Sequence, residues 1–168
     1  MRGYTLMELM VTVALLAIMS AMTAVGLGPL QRRYRVRKAV DVTAQLLVRT
    51  RLRAIETSRC HQIEVLADGI PVGAGTPGDG LRVSRRRDAD CETRPDPLAF
   101  VEVERLTLPE RMQVSLEDSN VLVFRPTGRT GDNAPRRFQV GREGELRSVV
   151  AAPNGPVCTP EDEEGGCP

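Results

Sequence analysis

Three patterns of hydrophobic and polar residues follow one another along the chain. From Leu9 to Leu30 there are 22 residues without a charged side chain. As a helix rising about 1.5 Å per residue, such a segment is long enough for the roughly 30 Å hydrocarbon core of a membrane. From Leu30 to about Arg59, apolar residues return every three or four positions, which predicts an amphipathic helix. Together the first two patterns predict one long amino-terminal helix.

The amphipathic segment has an apolar face and a strongly basic composition. Its predicted apolar face contains Val36, Val40, Ala44, Leu47, Val48, Ala54 and Ile55. Arg51 lies on that face and departs from the pattern, and upstream Gly26, Gly28 and Pro29 predict a kink or local unwinding. Between Arg32 and Arg59 there are nine basic and two acidic residues. This excess is interpreted either as a solvated helix face or as a surface for anionic lipid, nucleic acid or an acidic subunit.

After Cys60 the period of the pattern changes to two, which indicates strands separated by turns. The predicted strands are His61–Leu66, Gly80–Ser84, Leu98–Leu106, Met112–Glu117, Asn120–Arg125, Arg136–Val140 and Glu145–Ala151. Because the strands follow a single long helix, they are expected to form an antiparallel sheet that the helix covers on one side. The predicted fold class is therefore α+β.

Composition excludes several classes of function. The 168 residues carry a net charge of +1, which is neither a polycationic nucleic-acid tail nor an acidic disordered chain. His61 is the single histidine, which disfavours histidine-rich metal sites and imidazole chemistry. The letters from Gly73 to Gly78 match a dinucleotide-binding pattern, but Pro77 opposes the helix that such a site needs. No enzyme activity, cofactor or metal is expected.

The most specific signal is at the amino terminus, where Gly3-Tyr4-Thr5-Leu6-Met7-Glu8 precedes the apolar run. These residues resemble the processing signal of type IV pilins and type II secretion pseudopilins. The resemblance implies that a prepilin peptidase cuts between Gly3 and Tyr4 and that Tyr4 becomes N-methylated. It also implies that Glu8 acts in subunit assembly, because a charge at the edge of hydrocarbon needs a partner.

The pilin resemblance divides the chain into five parts. Residues 1–3 are expected to be the leader, 4–30 the transmembrane part of the helix and 31–60 its amphipathic part. Residues 61–151 are expected to be the β-sheet domain, and 152–168 an acidic tail with cysteines. The implied fold is the pilin fold. The implied location is the bacterial inner membrane, crossed once, with a periplasmic carboxy-terminal domain that later enters a pilus or pseudopilus.

The order of elements further resembles the GspH/FimT (FimU)-like subfamily of minor pilins and pseudopilins. Three stretches carry this likeness: Gly80-Leu-Arg-Val, Val121-Leu-Val-Phe-Arg-Pro-Thr-Gly128 and Gly144-Glu-Leu-Arg147. Some members bind DNA through a Gly-Arg-x-Arg motif, which would make Arg147 a DNA contact. Glu145 stands where that motif has its first Arg, and an acid opposes contact with phosphate. Nucleic acid is therefore not an expected partner.

Cys60, Cys91, Cys158 and Cys167 are candidates for disulfides if the domain is exported. Four cysteines allow three pairings, of which Cys60–Cys91 with Cys158–Cys167 is favoured by nearest-neighbour order. The loop between the last two contains four consecutive acids, at positions 161–164. Their spacing is unlike that of a calcium loop, so a solvated acidic tail is favoured over a calcium site.

The resemblance implies a structural subunit of a type IV pilus or of a type II secretion pseudopilus, in the complex that starts the filament and stays at its tip. Its expected partners are other minor and major pilins or pseudopilins, the prepilin peptidase and the inner membrane. Two other classes stay open: an exported DNA-binding pilin for natural transformation, and an unrelated anchored domain.

Overall fold

A computed structural model describes residues 5–87, 91, 100–142 and 144–160 of the protein, with backbone only at 21–29. The chain forms two compact units, Met1–Arg35 and Val36–Pro168. Helix α1, Leu6–Thr57, begins in the first unit and ends in the second. The expected local unwinding at Gly26 to Pro29 is not seen, because the helix is assigned without interruption through these positions.

In the first unit, the described residues are helical from Leu6 onward. Every described apolar side chain between Leu6 and Met19 is exposed, including Leu9 and Ile18. Within the part of the chain that the structure describes, no helix has a stretch both long and apolar enough to cross a membrane.

In the second unit, α1 packs one face into the core. The buried positions recur at helical spacing and are Val36, Ala39, Val40, Thr43, Leu46, Leu47, Thr50 and Ala54. Two residues of the predicted apolar face, Val48 and Ile55, are instead exposed. The buried set instead includes Ala39, Leu46 and Thr50, so the observed face is turned around the helix axis from the predicted one and is about equally wide.

Two antiparallel sheets, not the single sheet that was predicted, pack with the helix. The strands are β1 His61–Ala67, β2 Ile70–Pro71, β3 Gly80–Arg86, β4 Phe100–Thr107, β5 Gln113–Leu116, β6 Val121–Phe124, β7 Arg136–Arg142, β8 Glu145–Ala151 and β9 Val157–Cys158. The first sheet has the order β2-β1-β3-β4, with β6 also paired to β1. The second has the order β5-β7-β8-β9. Period-two patterning predicts the two faces of a strand but not which strands lie beside it. It therefore does not show that the strands divide into two sheets.

Each of the seven predicted strands corresponds to an observed strand, with the same ends for Glu145–Ala151 and slightly different ends for the others. The predicted start of the strand at Leu98 lies outside the described residues. The sequence analysis missed β2 and β9, since two residues are too few to show alternation. Side chains from α1 and from both sheets form one hydrophobic core, with Phe124 and Phe138 among its fully buried members. With aromatic residues at 3% of the chain, this core is built mainly from Val, Leu and Ile.

The loop before β3 connects the two sheets. Gly78 exchanges two backbone hydrogen bonds with Val114 of β5, at 2.8 and 2.9 Å. The next residue, Asp79, donates its backbone N–H to the Leu66 carbonyl at 2.8 Å. A Cβ atom on Gly78 would collide with that same Leu66 carbonyl, so only glycine permits this approach. The segment that resembles a dinucleotide motif is thus a hydrogen-bonded connection between sheets.

Candidate functional site

The amino terminus of α1 contains the residues of the predicted processing and assembly site. Gly3 and Tyr4 lie outside the described residues. Thr5 caps the helix: its hydroxyl oxygen accepts the Glu8 backbone N–H at 3.3 Å, and its carbonyl accepts the N–H groups of Glu8 and Leu9. The cap satisfies helix donors that would otherwise have no partner, so the helix begins next to the predicted cleavage position.

Glu8 lies in the first turn of the helix with its side chain exposed. Among the described residues, none makes an ion pair with its carboxylate. The helix amino terminus, with its partial positive charge, favours an acid at this position. The neighbouring side chains Leu6, Met7, Leu9 and Met10 are exposed and apolar. Glu8 is therefore an accessible charge on an apolar helix surface, available to a partner outside this chain.

A disulfide joins Cys60 to Cys91, with 5.8 Å between their Cα atoms. It links the start of β1, directly after α1, to the chain beyond β3. The Cys60 carbonyl also accepts the backbone N–H of Arg86 at 2.9 Å. Cys158 is disulfide-bonded as well, whereas Cys167 lies outside the described residues, so the second pairing stays a prediction.

His61, next to this disulfide, is buried, and its Nδ1 lies 3.1 Å from the Arg59 carbonyl oxygen. Burial lowers the pKa of its imidazole, the Arg59 carbonyl opposes that shift, and the charges of Arg85 and Arg53 lower the pKa further. These surroundings favour the neutral ring, which fits the buried position of His61 in the core of the domain.

Arg51, the departure from the predicted apolar face, joins the helix to the end of the second sheet. Its guanidinium donates to the carbonyls of Gly155 and Pro153, the latter at 3.2 Å. Its Cζ atom lies 5.9 Å from the centre of the Phe124 ring. Burial lowers the pKa of this guanidinium, although its ordinary value is so high that it stays charged. The residue is thus a structural anchor for the turn between β8 and β9.

Two further arginines of α1 contact the first sheet. Arg49 and Arg53 both donate to the Glu104 carboxylate of β4, the Arg49 bond being 3.1 Å long. These contacts account for two of the cations in the basic segment. They are ion pairs within the chain, whereas the sequence alone groups these two cations with those of an unspecified surface.

Arg147 lies exposed on β8, opposite Val140 of β7. It lines a groove of about 880 Å³ between the helix and the second sheet, which also contains Arg37, Asp41 and Glu145. Glu143, the other acid near the would-be DNA motif, lies outside the described residues. The lining of the groove contains both cations and acids, so it does not offer phosphate a uniformly positive surface.

Metal ligands are not brought together in the described ranges. No group of three or more His, Cys, Asp or Glu side chains there is placed to hold a metal ion. The acids at 161–164, to which the calcium alternative refers, lie outside those ranges.

Comparisons with known proteins add two findings to this geometry. Residues 1–24 match the prokaryotic N-terminal methylation motif. The fold is similar to that of the type IV minor pilin FimU of Pseudomonas aeruginosa, with a TM-score of 0.56 at 15% sequence identity over 79% of this chain and 98% of FimU. It is also similar to the minor pseudopilin EpsH from the type 2 secretion system of Vibrio cholerae, with a TM-score of 0.53 at 14% identity over 74% of this chain and 95% of EpsH.

The chain has the pilin fold and carries the prepilin-type methylation motif. The likeness is to a minor pilin and a minor pseudopilin, the kinds of protein that the sequence resembles. No curated protein matches the sequence. The first part of the helix and the sheet domain belong to different compact units, so their contributions to function are treated separately.

Sequence reasoning missed the structural roles of Arg51, Gly78 and Glu104. The sequence contains an indication for Arg51, because a cation on an apolar face needs a nearby acceptor. It contains no indication for Gly78 and Glu104, since their partners are distant along the chain and are brought near by strand order.

Proposed function

We propose that the protein is a minor pilin or pseudopilin, a structural subunit of a type IV pilus or a type II secretion pseudopilus. The observation that carries the proposal is the capped, exposed Glu8 at the start of an apolar helix that matches the methylation motif. The pilin fold of the remaining chain supports it. FimU and EpsH come from different machines, and the proposal covers both.

Subunit assembly in this proposal works through the helix. Before assembly, residues 4–30 hold the subunit in the inner membrane, with the folded domain on the periplasmic side. A prepilin peptidase cuts after Gly3, and Tyr4 becomes the methylated amino terminus. In the filament the same apolar surface packs against neighbouring subunits, and Glu8 pairs with the α-amine of a neighbour. An ion pair there removes the cost of an unpaired carboxylate in an apolar core.

The proposed partners are other minor and major pilins or pseudopilins, with this subunit in the complex that starts the filament and remains at its tip. FimU is a minor pilin and EpsH a minor pseudopilin, which supports a low-copy position. The mixed charges around Arg147 do not favour the alternative of a DNA-binding pilin.

The test is Glu8→Ala in cells that assemble the filament. The variant should insert into the membrane as the parent does, because the apolar run is unchanged. Its recovery in sheared filaments should fall at least tenfold, the effect of losing an interaction worth about 1.4 kcal/mol. Where filaments are too short to shear, chemical cross-linking to neighbouring subunits gives the same readout.

Thr12→Ala is the matched control, since the Thr12 hydroxyl donates only within the helix, to the Leu9 carbonyl at 2.8 Å. This variant should assemble like the parent. Normal filament incorporation of Glu8→Ala would refute the role of the carboxylate.

A further inference from the structure

Five cations lie within seven residues of helix α1: Arg32, Arg33, Arg35, Arg37 and Lys38. We call them the basic collar. All five side chains are exposed. Val36, between these cations, is buried in the domain, and Arg37 lines the groove beside the second sheet. Five exposed cations on so short a stretch form a dense positive charge that suits strongly anionic surroundings.

The collar differs from the other arginines of the helix in its lack of partners. Arg49 and Arg53 pair with Glu104, and Arg51 donates to two carbonyls. No side chain of the collar makes an ion pair or hydrogen bond with any residue in the described ranges. Its charge is therefore not used within the fold.

Position along the helix indicates what the collar meets. It follows directly on the uncharged run Leu9–Leu30, whose helical length of about 33 Å is close to the thickness of the hydrocarbon core. Tyr34 lies within the collar and is 68% exposed. Tyrosine is enriched at the level of the lipid headgroups, where its ring is in apolar surroundings and its hydroxyl in water. An aromatic ring among cations at this distance matches a membrane interface.

We infer that the basic collar binds anionic phospholipid headgroups of the leaflet that faces the folded domain. The inference rests on the proposed membrane insertion of residues 4–30. In that orientation the five cations lie on the exported side, which is the reverse of the usual preference for basic residues in the cytoplasm. Headgroup binding offsets this unfavourable distribution and keeps the unassembled subunit at a fixed depth.

The experiment titrates the full chain in neutral detergent micelles with phosphatidylglycerol and, separately, with phosphatidylcholine, and counts bound lipids by native mass spectrometry. The parent should bind phosphatidylglycerol at least tenfold more tightly than phosphatidylcholine. A collar variant should bind phosphatidylglycerol on the order of 100-fold more weakly at low salt, given the usual contribution of each cation near an anionic surface. This variant combines Arg32→Gln, Arg33→Gln and Arg35→Gln. Raising the salt should weaken binding by the parent.

The matched control combines Arg87→Gln, Arg111→Gln and Arg129→Gln, which removes the same charge from exposed positions of the domain. It should bind phosphatidylglycerol like the parent. Two competition arms identify the ligand. Inorganic phosphate at the same concentration should not displace the lipid, and neither should a short DNA duplex.

Equal affinity of the parent for the two lipids would overturn the inference. A collar variant that binds phosphatidylglycerol as tightly as the parent would overturn it as well. Displacement by phosphate would show a free-anion site, and displacement by the duplex would show a nucleic-acid surface, each of which contradicts it. The assay does not measure filaments, and the Glu8 test does not measure lipid. Failure of one is therefore distinguishable from failure of the other.

Discussion

Two parts of helix α1 show opposite relations between sequence and burial. In its first turns, from Leu6 to Met19, the apolar side chains are exposed. Between Val36 and Ala54, the apolar side chains at helical spacing are buried against strands. Apolar surface left exposed by a folded chain marks a site for membrane or protein partners, whereas the buried face has its partners within the fold. One helix therefore combines an intermolecular surface with a structural one.

The polar residues follow the same division. Glu8 has no ion-pair partner among the described residues, whereas Arg49, Arg51 and Arg53 each have one or more acceptors inside the domain. Substitutions in the first part should change assembly and leave folding intact. Substitutions in the second part should change folding.

Gly78→Ala should destabilise the domain by about 3 kcal/mol or more, because the added Cβ collides with the Leu66 carbonyl and separates the two sheets. Denaturant unfolding of the full chain in neutral detergent, followed by the strand signal in circular dichroism, measures the change. Gly73→Ala is the control in the same loop, where the nearest atom, the Thr76 Oγ1, is 3.8 Å from the new Cβ. Equal stability of both variants would contradict the proposed connection between sheets.

Arg51→Met should cost about 1.5–3 kcal/mol, since two carbonyls lose a charged donor while the apolar length of the side chain is kept. The same unfolding assay measures it. Arg49→Met, two residues away, removes an exposed ion pair and should cost less than about 1 kcal/mol. If the two variants are equally stable, Arg51 is not the anchor of the turn between β8 and β9.

His61 should make a smaller, pH-dependent contribution. Because the pKa of the folded imidazole is lowered, the unfolded chain takes up a proton as the pH falls below about 6.5 while the folded chain does not. Stability is thus unaffected by this group above that pH and decreases below it. His61→Gln should flatten the decrease between about pH 7 and pH 5.5. An unchanged slope in this variant would show that other groups cause it.

The sequence predicted which segments form strands better than it predicted how they associate. Alternation from His61 to Leu66 marks a strand with one buried face, which the structure contains. The predicted strand from Glu145 to Ala151 is also present, but its last four residues are all buried. Strand neighbours depend on turns and on contacts such as Gly78 with Val114, 36 residues apart along the chain, which no periodicity records. Helical spacing likewise predicted a buried face but included the exposed Val48 and Ile55, because the direction in which that face points depends on the strands that pack against it.

The functional site divides in the same way. Glu8 and its spacing from Gly3 are local in sequence, so the motif could be found without a structure. The role of Arg51 depends on carbonyls more than 100 residues away. Its position on an apolar face showed that an acceptor was needed but not which one.

Processing of the amino terminus before α1 changes the mass of the mature chain. The protein should be recovered from membranes of cells that contain a prepilin peptidase and measured by intact mass and by its amino-terminal peptide. We expect the loss of Met1, Arg2 and Gly3 and the addition of one methyl group to the amino group of Tyr4. A chain cut after Ala24, or elsewhere beyond the apolar run, would contradict this expectation.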